Sequence, residues 1–475
     1  MAGNPFDVIR ARRDQRRRKD APKRSARREE QPLPVRLANQ WWTRLLDAVY
    51  HGSLSEQEAE YESHSTGRDY LWNTIGIGVW GMVFPLLTVV ATQLAGAEQA
   101  GMFSMAFVAG TLLMIAAGYG VRNFQVSDID EANSFASYQV NRWITSAIAL
   151  LAGVLYVSLR GYGAYMATAS VGVYVYKIVD GLADVYEGRL QQADKLYLAG
   201  ISQTIRSAAA AAAFSVALFL TRSLAVAAVA MAVAAVASLV LLSIPLALLE
   251  TEKSRRWDVG EVGGLLKGCF PLFAALFLFN LIESMPKFVM EGMLPYDNQL
   301  YFNALYFPAQ GILLAIGFVY KPQLLRLASI WSNPRKRRRF DLVVAAMMAV
   351  VLAVTVFSGV MMAWIGIPVM SFMYGVDFER FRMLAHLMIA AGGITAAIDF
   401  LYAIITVLRR QGDVMKLYLI SFAASVIAPL VLVALLGLMG AVISYLLVMA
   451  LLLVLLIVEY VHIRRAITRE RNPFA

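Results

Sequence analysis

The chain has 475 residues, of which 59% are hydrophobic and 16% charged. A soluble protein of this length carries charge at about a quarter of its positions, so the composition excludes an ordinary water-soluble globule and points to a polytopic membrane protein. The formal net charge of +10 is concentrated at the start, where residues 1–36 hold twelve Lys/Arg against five Asp/Glu.

That basic stretch, "RARRDQRRRKDAPKRSARR", has no interleaved aromatics and no folded basic module beside it. It reads as a disordered cytoplasmic tail near anionic lipid head groups, with no nucleic-acid partner expected. No cleavable signal peptide is expected, because the first long apolar run starts near Leu71. The segment "LANQWWTRLLDAVYHG" (37–52) has a Trp-rich apolar side and reads equally as an interfacial helix or a linker. Cys269 is the only cysteine, which rules out an internal disulfide.

A helix needs about 20 mostly apolar residues to cross the hydrocarbon core. Such runs occur at 72–94, 101–121, 140–160, 164–185, 197–220, 224–249, 266–290, 299–321, 340–365, 382–408, 415–436 and 438–463. The expected fold is all-α, with about twelve transmembrane helices. Lys/Arg asymmetry between alternate connections sets the orientation. With the tail in the cytoplasm, the inner connections hold Arg122, Arg189, Lys195, Lys253, Arg255, Arg256, Arg326, Arg409, Arg410, Lys416 and the block "NPRKRRR" (333–339). The C-terminal "RRAITRER" (464–471) falls on the same side, and the outer connections hold only Arg160, Arg222, Arg380 and Arg382. Both termini are therefore expected in the cytoplasm.

The polar stretch "ETEKSRRWDVGEVGG" (250–264) divides the spans evenly. The expected organisation is a basic tail at 1–38, an interfacial helix or linker at 39–66, a six-helix bundle at 67–249, a cytoplasmic linker at 250–264, a second six-helix bundle at 265–463 and a basic tail at 464–475. The halves echo one another. An offset of 199 residues aligns Phe103 with Phe302, Gly118 with Gly317 and Arg122 with Lys321, and "RLQQADKLYL" (189–198) resembles "RQGDVMKLYL" (410–419). Parallel repeats of this kind recur in transporters, with the substrate site between the halves.

Ionisable side chains at bilayer depth cost about 2.5–3.5 kcal/mol on insertion scales, so they normally face protein or a watery cavity. Span four carries Lys177, Asp180, Asp184 and Glu187 at spacings of 3, 4 and 3, on one helical stripe. The stripe reads as a cavity lining or as internal pairing that fixes the helix. Span five adds Gln203 and Arg206 at a similar depth. Span seven contains "AALFLFNLIESMPKFVMEGML" (274–294). There Glu283 and Lys287 stand one turn apart in the order that favours an i,i+4 ion pair, Asn280 extends the polar stripe, and Pro286 removes a backbone hydrogen bond. The pair either faces the gap between the halves or is locked against another helix. Asp399 in span ten is a lone acid, read as a coupling-ion site or as the partner of a cation on another helix. Arg122, with Asn123, Gln125 and Asp128, sits at the inner end of span two, placed to meet a phosphate or to anchor the interface.

No Walker-type glycine loop, paired Cys motif or soluble catalytic domain is present, and the four histidines (His51, His64, His386, His462) are scattered. No cofactor, metal site or enzymatic activity is expected. Energy for transport would come from an ion gradient, the substrate's own gradient or removal of product.

The segments "YGVRNFQVSD" (119–128), "GLADVYEGRLQQADKLYLAG" (181–200) and "FNLIESMPKFVMEGML" (279–294) resemble blocks of the polysaccharide-unit flippases of the multidrug/oligosaccharidyl-lipid/polysaccharide exporter superfamily. The resemblance covers about 70–463 and leaves out the basic tail. It implies a V-shaped pair of pseudo-twofold bundles in the bacterial cytoplasmic (inner) membrane. It also implies the cargo, a polyprenyl-pyrophosphate-linked oligosaccharide carried from the inner to the outer leaflet for cell-surface polysaccharide. Candidate substrate-binding residues are Arg122, Lys177, Arg206, Lys287, Asn280 and Gln203; candidate coupling or cavity acids are Asp180, Asp184, Glu283 and Asp399. Expected partners are the lipid-linked glycan, anionic membrane lipids and polysaccharide polymerase or export proteins.

Two other superfamily activities remain open: cation-coupled drug export, which favours an acid-dominated cavity, and flipping of the peptidoglycan lipid precursor. A membrane polymerase or glycosyltransferase would call for a sizeable outer loop, and the longest here is about 16 residues, "GIPVMSFMYGVDFERF" (366–381).

Overall fold

A computed structural model describes residues 58–471 apart from 129–130, 409–410 and most of 322–336. The basic tail, the segment at 37–52, Arg326, Arg409, Arg410 and most of "NPRKRRR" lie outside the described residues. The chain divides into two units, Met1–Tyr70 and Leu71–Ala475. Of the first, only the helical stretch from Glu58 is described; the rest of the fold concerns the second.

Twelve long helices follow one another among the described residues, in the places of the twelve predicted spans. They are α1 (Glu58–Ala95), α2 (Ala97–Gly118), α3 (Phe135–Arg160), α4 (Ala164–Gln192), α5 (Leu196–Thr221), α6 (Leu224–Glu250), α7 (Val259–Met293), α8 (Asp297–Tyr320), α9 (Arg339–Tyr374), α10 (Arg382–Val407), α11 (Gln411–Leu436) and α12 (Leu438–Arg471). Eleven of them are long and apolar enough to cross a membrane. The exception is α4, whose hydropathy is lowered by Lys177, Asp180, Asp184 and Glu187. Its residues from Tyr176 to Leu190 are nearly all buried by neighbouring helices, so it hides its charges in protein rather than lipid. Large apolar side chains point outward instead, with Trp364 81% and Phe372 86% exposed. In water such a surface would drive aggregation; it belongs against acyl chains. The protein is a multi-pass membrane protein.

Prolines shape the helices. α6 and α9 each contain one π turn, Leu239–Ser243 and Met362–Gly366, followed directly by a segment with Pro245 or Pro368 in its first turn. A proline has no N–H to return to the preceding turn, and the wider π turn absorbs the mismatch.

Both halves repeat one packing plan. In the first, α2 packs on α3 and α4, α4 on α6, and α5 on α6. Six helices later, α8 packs on α9 and α10, α10 on α12, and α11 on α12. α7 lies on α11 as α1 lies on α5, where Gly200 leaves no room for a Cβ against the Trp72 carbonyl. The bundles meet where α2 approaches α7 and α8, and where α3 approaches α7.

Candidate functional site

The first bundle contains a continuous ionic network. Lys177 Nζ lies 3.7 Å from Asp180 Oδ2. Asp180 also accepts a hydrogen bond from Trp80 Nε1 at 2.9 Å and from Arg206 Nε at 2.9 Å. The same guanidinium donates to Glu187 Oε1 at 2.6 Å. Glu187 Oε2 is 3.6 Å from Arg122 Nη1, which donates to Asp184 Oδ1 at 2.6 Å, while Arg122 Nη2 reaches Gln191 Oε1. Asp184 Oδ2 in turn accepts from Arg142 Nη2 at 2.9 Å. The spacing of α4 places its three acids toward cations supplied by α3, α5 and the short helix Val121–Ser127.

Most of this network is sealed. Lys177, Asp180, Glu187 and Arg206 are buried and Arg142 is fully so. The side chains of Arg122 and Asp184, at 28% and 29%, are the part that remains reachable.

The second bundle is built differently. Glu283 accepts hydrogen bonds from Tyr445 at 3.1 Å and Tyr306 at 3.4 Å. The predicted i,i+4 ion pair is not formed. The Lys287 ammonium sits 4.1 Å from the centre of the Tyr306 ring and 5.8 Å from that of Phe302, both on α8. Lys177 likewise lies 4.3 Å from the Phe107 ring centre and 4.7 Å from that of Trp80. Phe107 and Tyr306 stand at the 199-residue offset that relates the halves, so each buried lysine rests on the ring at one shared register. Phe84 crosses the bundle boundary: it stacks on Phe107 at 4.2 Å and meets Phe307, the neighbour of Tyr306 in sequence, edge-on at 4.8 Å.

A third polar group links the C-terminal ends of α3 and α7. Glu291, almost wholly enclosed, receives Arg160 Nη2 at 2.5 Å, Tyr156 OH at 2.6 Å and Tyr162 OH. Burial first, then the Glu291 carboxylate, pushes the Tyr162 hydroxyl well above its ordinary pKa, which keeps it a donor. A cavity of about 360 Å³ lies beside Arg160, Tyr162, Glu291 and Tyr296.

The structure thus brings Arg122, Lys177, Arg206, Asp180 and Asp184 into one network and places Lys287 and Glu283 in another group. Asp399 instead accepts from Tyr320 OH at 2.5 Å. Asn280 donates to Leu276 O of its own helix, and Gln203 is half-buried beside Gly76. Sequence reasoning missed Arg142, Trp80, Tyr306, Tyr445 and Glu291. Arg142 follows Asn141 and precedes Trp143 at the start of a span, a pattern that reads as an interfacial anchor; only its place inside the predicted run signalled more.

No protein-family model matches the chain, and no curated protein matches it. Solved structures do. An inward-facing multidrug resistance MATE family transporter of the MOP superfamily superposes with a TM-score of 0.59 at 12% identity, covering 85% of this chain and 100% of that one. The fold is that of the MATE transporters. A Vibrio cholerae MATE transporter gives 0.55 at 14% identity, covering 86% and 98%. A MOP superfamily transporter from Pyrococcus furiosus, described by a reverse polarity of its binding pocket that suggests a different function, gives 0.55 at 13% identity, covering 86% and 96%. At such identities the MATE likeness is one of fold.

Proposed function

We propose that this protein is a transporter that moves polyprenyl-pyrophosphate-linked oligosaccharide units from the inner to the outer leaflet of the bacterial inner membrane, both termini being cytoplasmic. The observation that carries this reading is the charge of the first bundle's network. Lys177, Arg206, Arg122 and Arg142 outnumber Asp180, Asp184 and Glu187 by four to three, and the reachable cation is Arg122. A sugar-pyrophosphate head cannot enter hydrocarbon, whereas its polyprenyl tail stays in lipid. A positive, partly hydrated face on an otherwise lipid-compatible protein suits such a cargo. Arg122 would meet the pyrophosphate as a planar fork. Lys177, Arg206 and Lys287, being buried, would set the field, and Gln203 and Asn280 would offer hydrogen bonds to sugar. Anionic lipids and polysaccharide polymerase or export proteins would be its partners.

Cation-coupled drug export is the second reading. It is favoured by the solved neighbours described as multidrug resistance transporters and by two acids in the second bundle, Glu283 and Asp399. Deleting the gene separates the readings. Build-up of an unpolymerised lipid-linked unit on the inner leaflet supports the first; unchanged glycans with new drug sensitivity support the second; build-up of the peptidoglycan precursor indicates that substrate instead.

A further inference from the structure

We infer that Arg142 is a positioning residue that frees Arg122 to bind an anion. This rests on the proposed reading of Arg122 as the cation for the pyrophosphate. The inference begins with the way Asp184 is shared. One of its oxygens accepts from Arg122 at 2.6 Å and the other from Arg142 at 2.9 Å. Arg122 is reachable, but Arg142 is fully enclosed. A carboxylate held by a single guanidinium forms a bidentate, neutral pair with little left for a ligand. Asp184 is held by two, and the buried one is closed off from solvent.

Arg142 also fixes where Arg122 stands. Its Nη1 donates to the carbonyls of Ala117, at 3.2 Å, and Gly118, at the last turn of α2. Thr145, one turn along α3, donates to the same Ala117 carbonyl at 2.7 Å. These carbonyls have no partner further along their own helix, because the chain turns there through left-handed Tyr119 and Gly120, with φ of 48° and 67°. The short helix bearing Arg122 starts at the next residue. One buried guanidinium therefore ties together the end of α2, the base of Arg122 and the counter-ion of Arg122.

The charge balance gives the same result. Without Arg142 the network has three cations and three acids. With it the surplus is one positive charge, and that surplus is expressed at the only reachable cation. Arg142 never needs to touch the ligand.

The test measures binding of farnesyl diphosphate, with farnesol as the uncharged control, to full-length protein in detergent. R142M removes the charge at similar volume; R142K keeps it. Affinity for the diphosphate is expected to fall roughly tenfold or more in R142M, the scale of one unit charge at a partly hydrated site, and to stay within about threefold of wild type in R142K. The double variant R142M/D184N restores the surplus charge, and affinity is expected to recover, which lost packing alone would not allow. If R142M does not fold, R142K and R142M/D184N decide: loss of binding in both folded proteins overturns the inference. So does wild-type affinity in R142M while R122Q has lost binding. Unchanged affinity in R122Q itself overturns the reading of Arg122, which is a separate failure.

Discussion

Arg206 on α5 and Asp180 on α4 meet at 2.9 Å with both side chains almost completely enclosed. The other end of the same guanidinium holds Glu187 at 2.6 Å. Removing one partner of such a group strands the others in a medium that cannot solvate them, at a cost of about 3–5 kcal/mol. Arg206→Met should therefore lower the thermal midpoint in detergent sharply and reduce the amount of protein recovered from membranes. An unchanged midpoint would show that α4 and α5 are held by packing alone.

Arg122 should behave in the opposite way. Its pair with Asp184 is partly open to solvent, and Asp184 keeps Arg142 when Arg122 is lost. Arg122→Ala is expected to change stability by about 1 kcal/mol or less while lowering transport. Chemical denaturation and transport measured on the same preparation check both halves of this statement.

Lys287 and Glu283 share Tyr306, which carries the ammonium on its ring face and donates its hydroxyl to the acid. The two charges should therefore couple without a direct salt bridge. Lys287→Met alone takes the ammonium's charge away from the buried Glu283, and Glu283→Gln should relieve part of that loss. A double-mutant cycle on thermal unfolding is expected to give a coupling of about 1–3 kcal/mol. Additive losses would show that the groups ignore each other.

The Arg160–Glu291 contact ties α3 to α7, and so one bundle to the other, at their C-terminal ends. Glu291→Ala removes the acceptor of Arg160, Tyr156 and Tyr162 together. In a background carrying Cys269→Ala, a cysteine placed at Tyr296 should then react at least threefold faster with a membrane-impermeant thiol reagent, a modest shift of a two-state opening. Equal rates with and without Glu291 would remove this contact from any gating role.

Much of the architecture was legible because lipid imposes a length on each helix and leaves long apolar runs in the sequence. The positions of all twelve helices could be read that way, including α4, whose charges defeat a hydropathy test but share one stripe. Partnership across helices was not legible. Lys177 and Asp180 are near neighbours in sequence and do meet, but of Glu283 and Lys287, also one turn apart, the acid turns to tyrosine hydroxyls on α8 and α12 and the lysine to rings on α8. Arg206–Glu187 and Arg142–Asp184 depend on how α3, α4 and α5 pack, and no spacing along one helix records that. Glu291 stood in plain view but near the end of its span, where an acid usually meets water.

The most direct measurement is leaflet translocation in proteoliposomes containing a fluorescent polyprenyl-pyrophosphate-linked oligosaccharide. Wild-type protein should speed movement of the label between leaflets, and Arg122→Ala, equally well inserted, should slow it by roughly tenfold or more. No acceleration by the wild-type protein, or equal rates for the two proteins, would contradict a positively lined path for an anionic head group.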